Sequence, residues 1–228
     1  MILETRHSIA EILSRQPLFR NLGRAELGRL AESTLEYRVG KHEVLFQKGD
    51  RPAGLYLIVT GQIKLILPSP QGTEKVVRLA SPGEAFAEEA VIPDGPHAMT
   101  AEALRDSILL IVPRPALMAA LAESTCLCCD LMAGMARRMQ DLIDNMESCS
   151  QRSSDQRVAH YLTQLAPVNA DSFEVELGVN KQHIASHLDL APETFSRVLS
   201  RLARQGYIQM HGRTIRVADA EQLRLQAC

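Results

Sequence analysis

Residues 179–217 read VNKQHIASHLDLAPETFSRVLSRLARQGYIQMHGRTIRV, and the punctuation of this stretch decides the fold. Asn180 is a good N-cap for a helix running to about Leu188, because its side chain can accept from an unpaired N–H of the first turn. Asp189–Ala191 leaves room for one tight turn. Pro192 then stands at the first position of a second helix, where its missing N–H costs nothing. Phe195, Val198, Leu199 and Leu202 make the apolar stripe of a helix buried on one side, and Gly206 is its natural C-terminal stop. Tyr207–Met210 and Arg213–Val217 read as two short strands around His211-Gly212. Helix, tight turn, helix and hairpin describe a winged helix-turn-helix.

Charge supports that reading once it is divided along the chain. The whole protein has 25 basic and 27 acidic residues over 228 positions, a net of −2, which argues against a wholesale polyanion binder. Within Pro192–Arg216, however, Arg197, Arg201, Arg204, Arg213 and Arg216 face Glu193 alone. Concentrated arginine on one helix and its wing is the electrostatic footprint of phosphate binding. Glu193, Ser196 and Arg197 occupy the exposed face of the first two turns, the part a recognition helix places in the major groove. Arginine pairs bidentately with guanine, and glutamate accepts from cytosine or holds the arginine. Lys181, Gln182, Thr194, Arg201 and Arg213 are candidate contacts to the DNA backbone.

Upstream, Ser148–Ser154 is a polar stretch fit for a hinge, followed by a helix over Arg157–Leu165. Ahead of the hinge, Cys128, Met132, Met135, Met139, Leu142, Met146 and Cys149 recur with steps of 4 and 3. A narrow heptad seam of this kind suits a two-stranded parallel coiled coil, so a dimerisation helix is expected over 116–149, with Pro115 at its start. A helix lying on the neighbouring domain is the competing reading. Cys128 and Cys149 on such a seam each face a symmetry mate and could form interchain disulfides on oxidation.

Between Gly40 and Pro115 the chain changes character. Glycine and proline break it into short β-prone runs, Glu43–Gln47, Leu55–Val59, Gln62–Leu67, Lys75–Leu79, Thr100–Ala103 and Ser107–Val112, which predict an antiparallel barrel or roll. Ser8–Leu13 and Arg24–Leu35 have helical spacing ahead of it. The expected division is a roll with N-terminal helices over 1–115, the dimer helix over 116–149 and the winged helix-turn-helix over 150–228, an α+β protein.

Composition narrows the setting. No run approaches the ~20 apolar residues of a membrane span, and the N-terminus carries charges through its apolar positions, unlike a signal peptide. Five cysteines, three of them packed at Cys126, Cys128 and Cys129, are not the spread framework of a secreted scaffold. A cytoplasmic protein with reduced thiols and no membrane partner is expected. Enzyme chemistry lacks its constellation: there is no glycine-rich phosphate loop, no nucleophile elbow and no His-x-x-x-His pair with a glutamate on a helix.

The order of parts resembles the Crp/Fnr family of regulators over nearly the whole chain. Phe46-Gln47-Lys48-Gly49-Asp50 followed by Leu55–Gly61 looks like the family's roll signature, and Pro82-Gly83-Glu84 with the Glu88 region looks like its pocket-forming turn. Glu193-Thr194-Phe195-Ser196-Arg197 is similar to the Fnr branch's recognition pattern. The resemblance implies a cyclic-nucleotide-binding-like sensor roll and a homodimeric transcription activator. It implies a palindromic site with TTGAT-type half-sites and RNA polymerase as a partner. Glu88, Glu89 and His97 are its candidate effector-pocket residues.

The departures are informative. Cyclic-nucleotide binders use an arginine and a small hydroxyl residue where this chain has Asp94-Gly95-Pro96-His97-Ala98, with acids nearby, so no cyclic nucleotide is expected. No cysteine precedes Cys126, so the N-terminal iron–sulfur cluster of the Fnr branch is not expected. Phe86-Ala87-Glu88 and His187 through Arg197 are most similar to the nitric-oxide-responsive, Dnr-type branch, which implies a bound haem. His7, His42, His97 and His160 are the candidate axial ligands, and spacing does not choose among them. Two alternatives stay open: a redox regulator acting through the cysteines of the dimer helix, and a sensor module with a protein partner.

Overall fold

A computed structural model describes residues 9–68, 74–167, 170–177 and 179–227. His7, a candidate haem ligand, and Ser8 lie outside the described residues. The chain forms two compact units, Met1–Met139 and Gln140–Cys228, with the division falling inside one long helix.

The first unit begins with α1 (residues 9–14) and α2 (Arg24–Ser33) and then becomes an antiparallel roll. Its strands are β1 (Leu35–Val39), β2 (Val44–Phe46), β3 (Gly54–Pro68), β4 (Glu74–Ala80), β5 (Ala85–Phe86) and β6 (Thr100–Pro113). A four-residue helix, α3 (Glu88–Val91), lies between β5 and β6. The sheet runs β1-β6-β3-β4, with β2 on β6 and β5 on β3. Helix spacing through Leu35 is therefore corrected: the helix stops at Ser33, where Thr34 turns extended and donates its hydroxyl back to Leu30 O at 2.7 Å.

Two expected pairs of strands are single long ones. Leu55–Val59 and Gln62–Leu67 join in β3, because Gly61 is a bulge and not a break. Its φ is +96°, and a Cβ there would fall 2.0 Å from Ser107 Oγ on the facing β6, so only glycine lets the strands stay paired. Thr100–Ala103 and Ser107–Val112 likewise join in β6 through the exposed pair Arg105-Asp106. Leu55, Leu57, Ile58, Ile63, Leu109 and Leu110 close the core, joined by Leu13 and Phe19 from the N-terminal segment. Lys64 is buried inside the roll, held by Glu74 at 2.7 Å and Glu102 at 2.9 Å. Burial pulls its ammonium pKa down, but those two hydrogen bonds and charges outweigh it and hold the value up.

The continuous helix expected over 116–149 is two helices, α4 (Arg114–Glu123) and α5 (Thr125–Gln151), bent by 116°. Ser124 causes the break. It is extended, closes α4 by donating its N–H to Ala120 O, and starts α5 by accepting from Leu127 N at 3.3 Å. Leu127 then packs into the core of the roll, Leu131 is buried one turn on, and Asp130 accepts from Asn21 at 2.8 Å.

The second unit contains the C-terminal half of α5, then α6 (Ser154–Gln164), β7 (Phe173–Glu176), α7 (Lys181–His187), α8 (Pro192–Arg204), β8 (Ile208–His211), β9 (Thr214–Val217) and α9 (Ala220–Ala227). The expected hairpin is present as β8–β9, and β7, which local pattern did not show, completes a three-stranded sheet in the order β7-β9-β8. Asn180 precedes α7 in the extended conformation of an N-cap, although its side chain makes no capping bond. The better-made cap is Ser153, which forms a reciprocal box with Gln156 and opens α6 two residues after α5 ends. Phe195, Val198, Leu199 and Leu202 are all buried, and Gly206, at φ +84°, ends α8 with Tyr207 N donating to Leu202 O at 3.0 Å. The fold is α+β, an antiparallel roll, a long helix and a winged helix-turn-helix. Among the described residues no single helix is long and apolar enough to cross a membrane.

Candidate functional site

The helix-turn-helix presents one polar face built from the start of α8. Ala191 is extended and Pro192 begins the helix, so the first turn leaves its N–H groups pointing outward, the positive end of the dipole. Glu193, Ser196 and Arg197 are all exposed there. Arg197 leans on Thr194, donating to its Oγ1 at 3.2 Å, so Thr194 and not Glu193 braces the guanidinium. Ser200, one turn beyond Ser196, extends the same exposed face and was not singled out from the sequence.

The flanking candidate backbone contacts divide. Gln182 is exposed and Lys181 half-buried on the first turn of α7, and Arg213 is exposed at the tip of the hairpin, beside Gly212 at φ +63°. Arg201, another candidate backbone contact, has its guanidinium paired with Asp155 of α6, which locks α8 to its supporting helix. The two residues are far apart in sequence, so no local pattern announces the pair.

On α5, the seam residues Met132, Met135, Met139, Leu142 and Met146 are exposed on one helical stripe, Met146 at 73 %. Ile143, also exposed, widens the stripe by one position. Cys149 is half-buried. Cys128 does not belong to the free stripe: its thiol donates to Leu121 O of α4 at 3.1 Å, drawn inward by the bend at Ser124. Cys126 and Cys129 are exposed.

In the roll, the candidate effector residues gather around α3. Ala87 precedes that helix in the left-handed region, at φ 75°, a conformation that costs a non-glycine residue about 1–2 kcal/mol. The resulting turn buries Glu88, whose Oε1 pairs with Arg138 of α5 while Oε2 is buried without a hydrogen-bond partner. Burial is also the main force raising the Glu89 carboxyl pKa, with the Glu88 charge adding to it. His97 is enclosed, its ring stacked on Phe46 at a centroid distance of 3.5 Å, with both ring nitrogens unpaired. Its Nδ1 lies 3.8 Å from Glu89 Oε1, too far for a hydrogen bond. Burial pushes the imidazole pKa below 6.5.

A depressed folded value makes the unfolded chain the better proton binder, so the stability contribution of His97 is present above pH 6.5 and is lost as the pH falls through the folded value. His97→Phe keeps the stack on Phe46 and removes the titration. Thermal melts at pH 7.5 and 5.5 should show a smaller acid-induced drop in Tm for the variant than for the wild type; equal drops would remove His97 as the cause.

The other two described candidate ligands are engaged. His42 is 3.3 Å from Glu102 and His160 is 3.1 Å from Gln164 Nε2. The cations around α3 are paired as well: Arg78 with Glu84, Arg114 with Asp94 at 3.7 Å, and Arg138 with Glu88. Among the described residues no group of three or more His, Cys, Asp or Glu could hold a metal ion.

Comparison with known proteins covers both units. Residues 36–124 match the cyclic nucleotide-binding domain family and residues 156–225 the Crp-like helix-turn-helix domain. The chain is 24% identical to the CRP-like cAMP-activated global transcriptional regulator of Mycobacterium tuberculosis, over 95% of this chain and 99% of that one. It is 28% identical to the transcriptional activator protein Anr of Pseudomonas protegens, over 80% and 76%. Among solved structures it resembles FixK2 from Bradyrhizobium japonicum, with 25% identity, a TM-score of 0.76 and coverage of 86% and 98%. DNR from Pseudomonas aeruginosa is 31% identical, with a TM-score of 0.50 and coverage of 94% and 96%.

Proposed function

The chain belongs to the Crp/Fnr family of transcription regulators, and from that premise we propose that it is a cytoplasmic homodimer that reads a palindromic DNA site with TTGAT-type half-sites. The α8 face carries this reading: Glu193, Ser196 and Arg197 are exposed together on the first two turns of a helix whose opposite side is fully buried. Arg197 reads a guanine, and Glu193 accepts from a cytosine. Lys181, Gln182, Thr194 and Arg213 hold phosphates. The exposed stripe Met132–Met146 pairs with its symmetry mate, and bound DNA places the dimer to engage RNA polymerase as an activator. The concentrated exposed arginines favour this over a module that acts on a protein partner alone.

Salt dependence tests the backbone contacts. Binding to a palindromic duplex should weaken linearly in log salt, and Arg213→Ala should flatten that slope by about one unit while weakening matched and mismatched sites alike. A variant with an unchanged slope would remove Arg213 from the interface.

The effector acts at the α3 turn. A cyclic nucleotide is the wrong charge for it: an anion there meets Glu88 and Glu89, while the arginines around α3 are already paired. The proposed effector is nitric oxide on a bound haem, as expected of the Dnr-type branch. His97 would be the side chain to hold the haem iron, since a histidine ligand is a neutral imidazole with a free ring nitrogen and His97 is the described candidate that is both buried and unpaired. When bound, the haem supplies iron that takes a diatomic gas; the chain supplies the imidazole and the Glu88–Arg138 link from α3 to α5. Thiol oxidation is the second reading, favoured by the exposure of Cys126 and Cys129. Absorption spectra of anaerobically purified protein with haemin, before and after nitric oxide, separate the two. A Soret band that shifts supports haem, and a colourless protein that changes only with oxidant supports the thiols.

A further inference from the structure

One side chain of the second unit ties together three stretches of backbone that the family reading leaves unconnected. Arg157, in the first turn of α6, donates Nε–H to Arg152 O at 3.1 Å and an Nη2 hydrogen to Cys149 O at 2.9 Å. Its Nη1 donates to Leu188 O at 3.3 Å and Asp189 O at 3.2 Å. These four carbonyls are not a random set. Cys149 lies in the last turn of α5, and Leu188 and Asp189 close α7, so the guanidinium sits between the negative ends of two helices. Arg152 is in the two-residue break between α5 and α6. Asp189 is left-handed, at φ 58°, in the tight turn that leads straight to Ala191 and the start of α8.

We propose that Arg157 is the positioning residue that fixes the helix-turn-helix onto the end of the dimer helix. It does not touch DNA: its guanidinium is half-buried and occupied by carbonyls. Its planar fork of five donors can hold several backbone segments at once, which a lysine ammonium on a flexible stem cannot. The break at Arg152-Ser153 gives α6 the freedom to swing about α5, and Arg157 removes it by clamping the helix end, the break and the turn together. The direction in which α8 leaves α5 is then set, and with it, in the proposed dimer, the separation of the two recognition helices. A change passed down α5 would reach α8 through these hydrogen bonds.

The inference rests on the DNA-binding reading, and two measurements on the full chain keep them apart. Arg157→Lys retains the charge and loses the fork. On duplexes of a single half-site the variant should bind within about threefold of the wild type. On the palindrome it should lose about tenfold or more, the value of a hydrogen bond to a charged group, and it should no longer discriminate against a spacer lengthened by one base pair. A direct phosphate contact would instead be rescued by lysine. Hydrogen exchange without DNA gives the second readout: amides of 149–153 and 188–191 should exchange faster in the variant while β8 and β9 are unchanged. Equal losses on half-site and palindrome, or unchanged exchange at both segments, would overturn the proposal. Failure of the wild type to prefer any palindrome, with the exchange result as expected, would overturn the DNA site and leave the clamp standing.

Discussion

Met139→Glu is expected to abolish the dimer and lower affinity for a palindromic duplex by about 10²–10⁴-fold, the factor that linking two binding modules contributes. Met139 is at the middle of the exposed stripe on α5, 62 % exposed in the single chain, with Met135 one turn before it and Leu142 and Ile143 one turn after. In a two-stranded helix pair that position faces its own symmetry mate. A glutamate there sets two carboxylates against each other in an apolar seam, where each is unpaired and desolvated, the costliest kind of burial. The roll is not involved, since Leu127 holds α5 on it from another face. Sedimentation should therefore show a folded monomer, with circular dichroism unchanged apart from the exposed part of α5. A variant that remains dimeric would move the interface off this stripe.

Arg197→Ala carries the second large effect, a loss of about 1–3 kcal/mol on the matched site, concentrated at one base pair. Arg197 packs nothing, so its removal leaves the Phe195–Leu202 stripe and the stability of the unit untouched. What disappears is a forked donor aimed outward from the second turn of α8, preset by Thr194. The signature is in the comparison of sequences. Wild-type protein should discriminate strongly at that base pair, and the variant should bind all four possible base pairs there about equally. Thr194→Ala, which frees the guanidinium without removing it, should give a smaller loss with discrimination kept.

The DNA-facing half of the protein was readable because its signals are local. Pro192 at the first position of a helix, Gly206 at the end and Phe195, Val198, Leu199 and Leu202 between them specify α8 within a few residues, and the structure agrees. The roll was legible as a class but not strand by strand. Gly61 looks like punctuation in one dimension; only the facing Ser107 shows that it is a bulge that keeps β3 whole. The bend at Ser124 was hidden by the heptad rhythm downstream, although Ser124-Thr125 carries a hydroxyl cap in plain view. The long-range polar contacts were out of reach. Asp155 with Arg201, Glu88 with Arg138 and Arg157 with the turn at Leu188 each join residues that no periodicity relates. These contacts hold the elements to one another, so local patterning names the parts and tertiary polar pairing decides how they are linked.

The most direct test of the account is a titration of the full chain, at one fixed salt concentration, against a palindromic duplex with two TTGAT-type half-sites and against the same bases scrambled, with stoichiometry read by sedimentation. Two chains per palindrome, bound at least about 10³-fold more tightly than the scrambled duplex, is the predicted result for a specific dimeric reader. Equal affinity for the two duplexes, or one chain bound per palindrome, would contradict it.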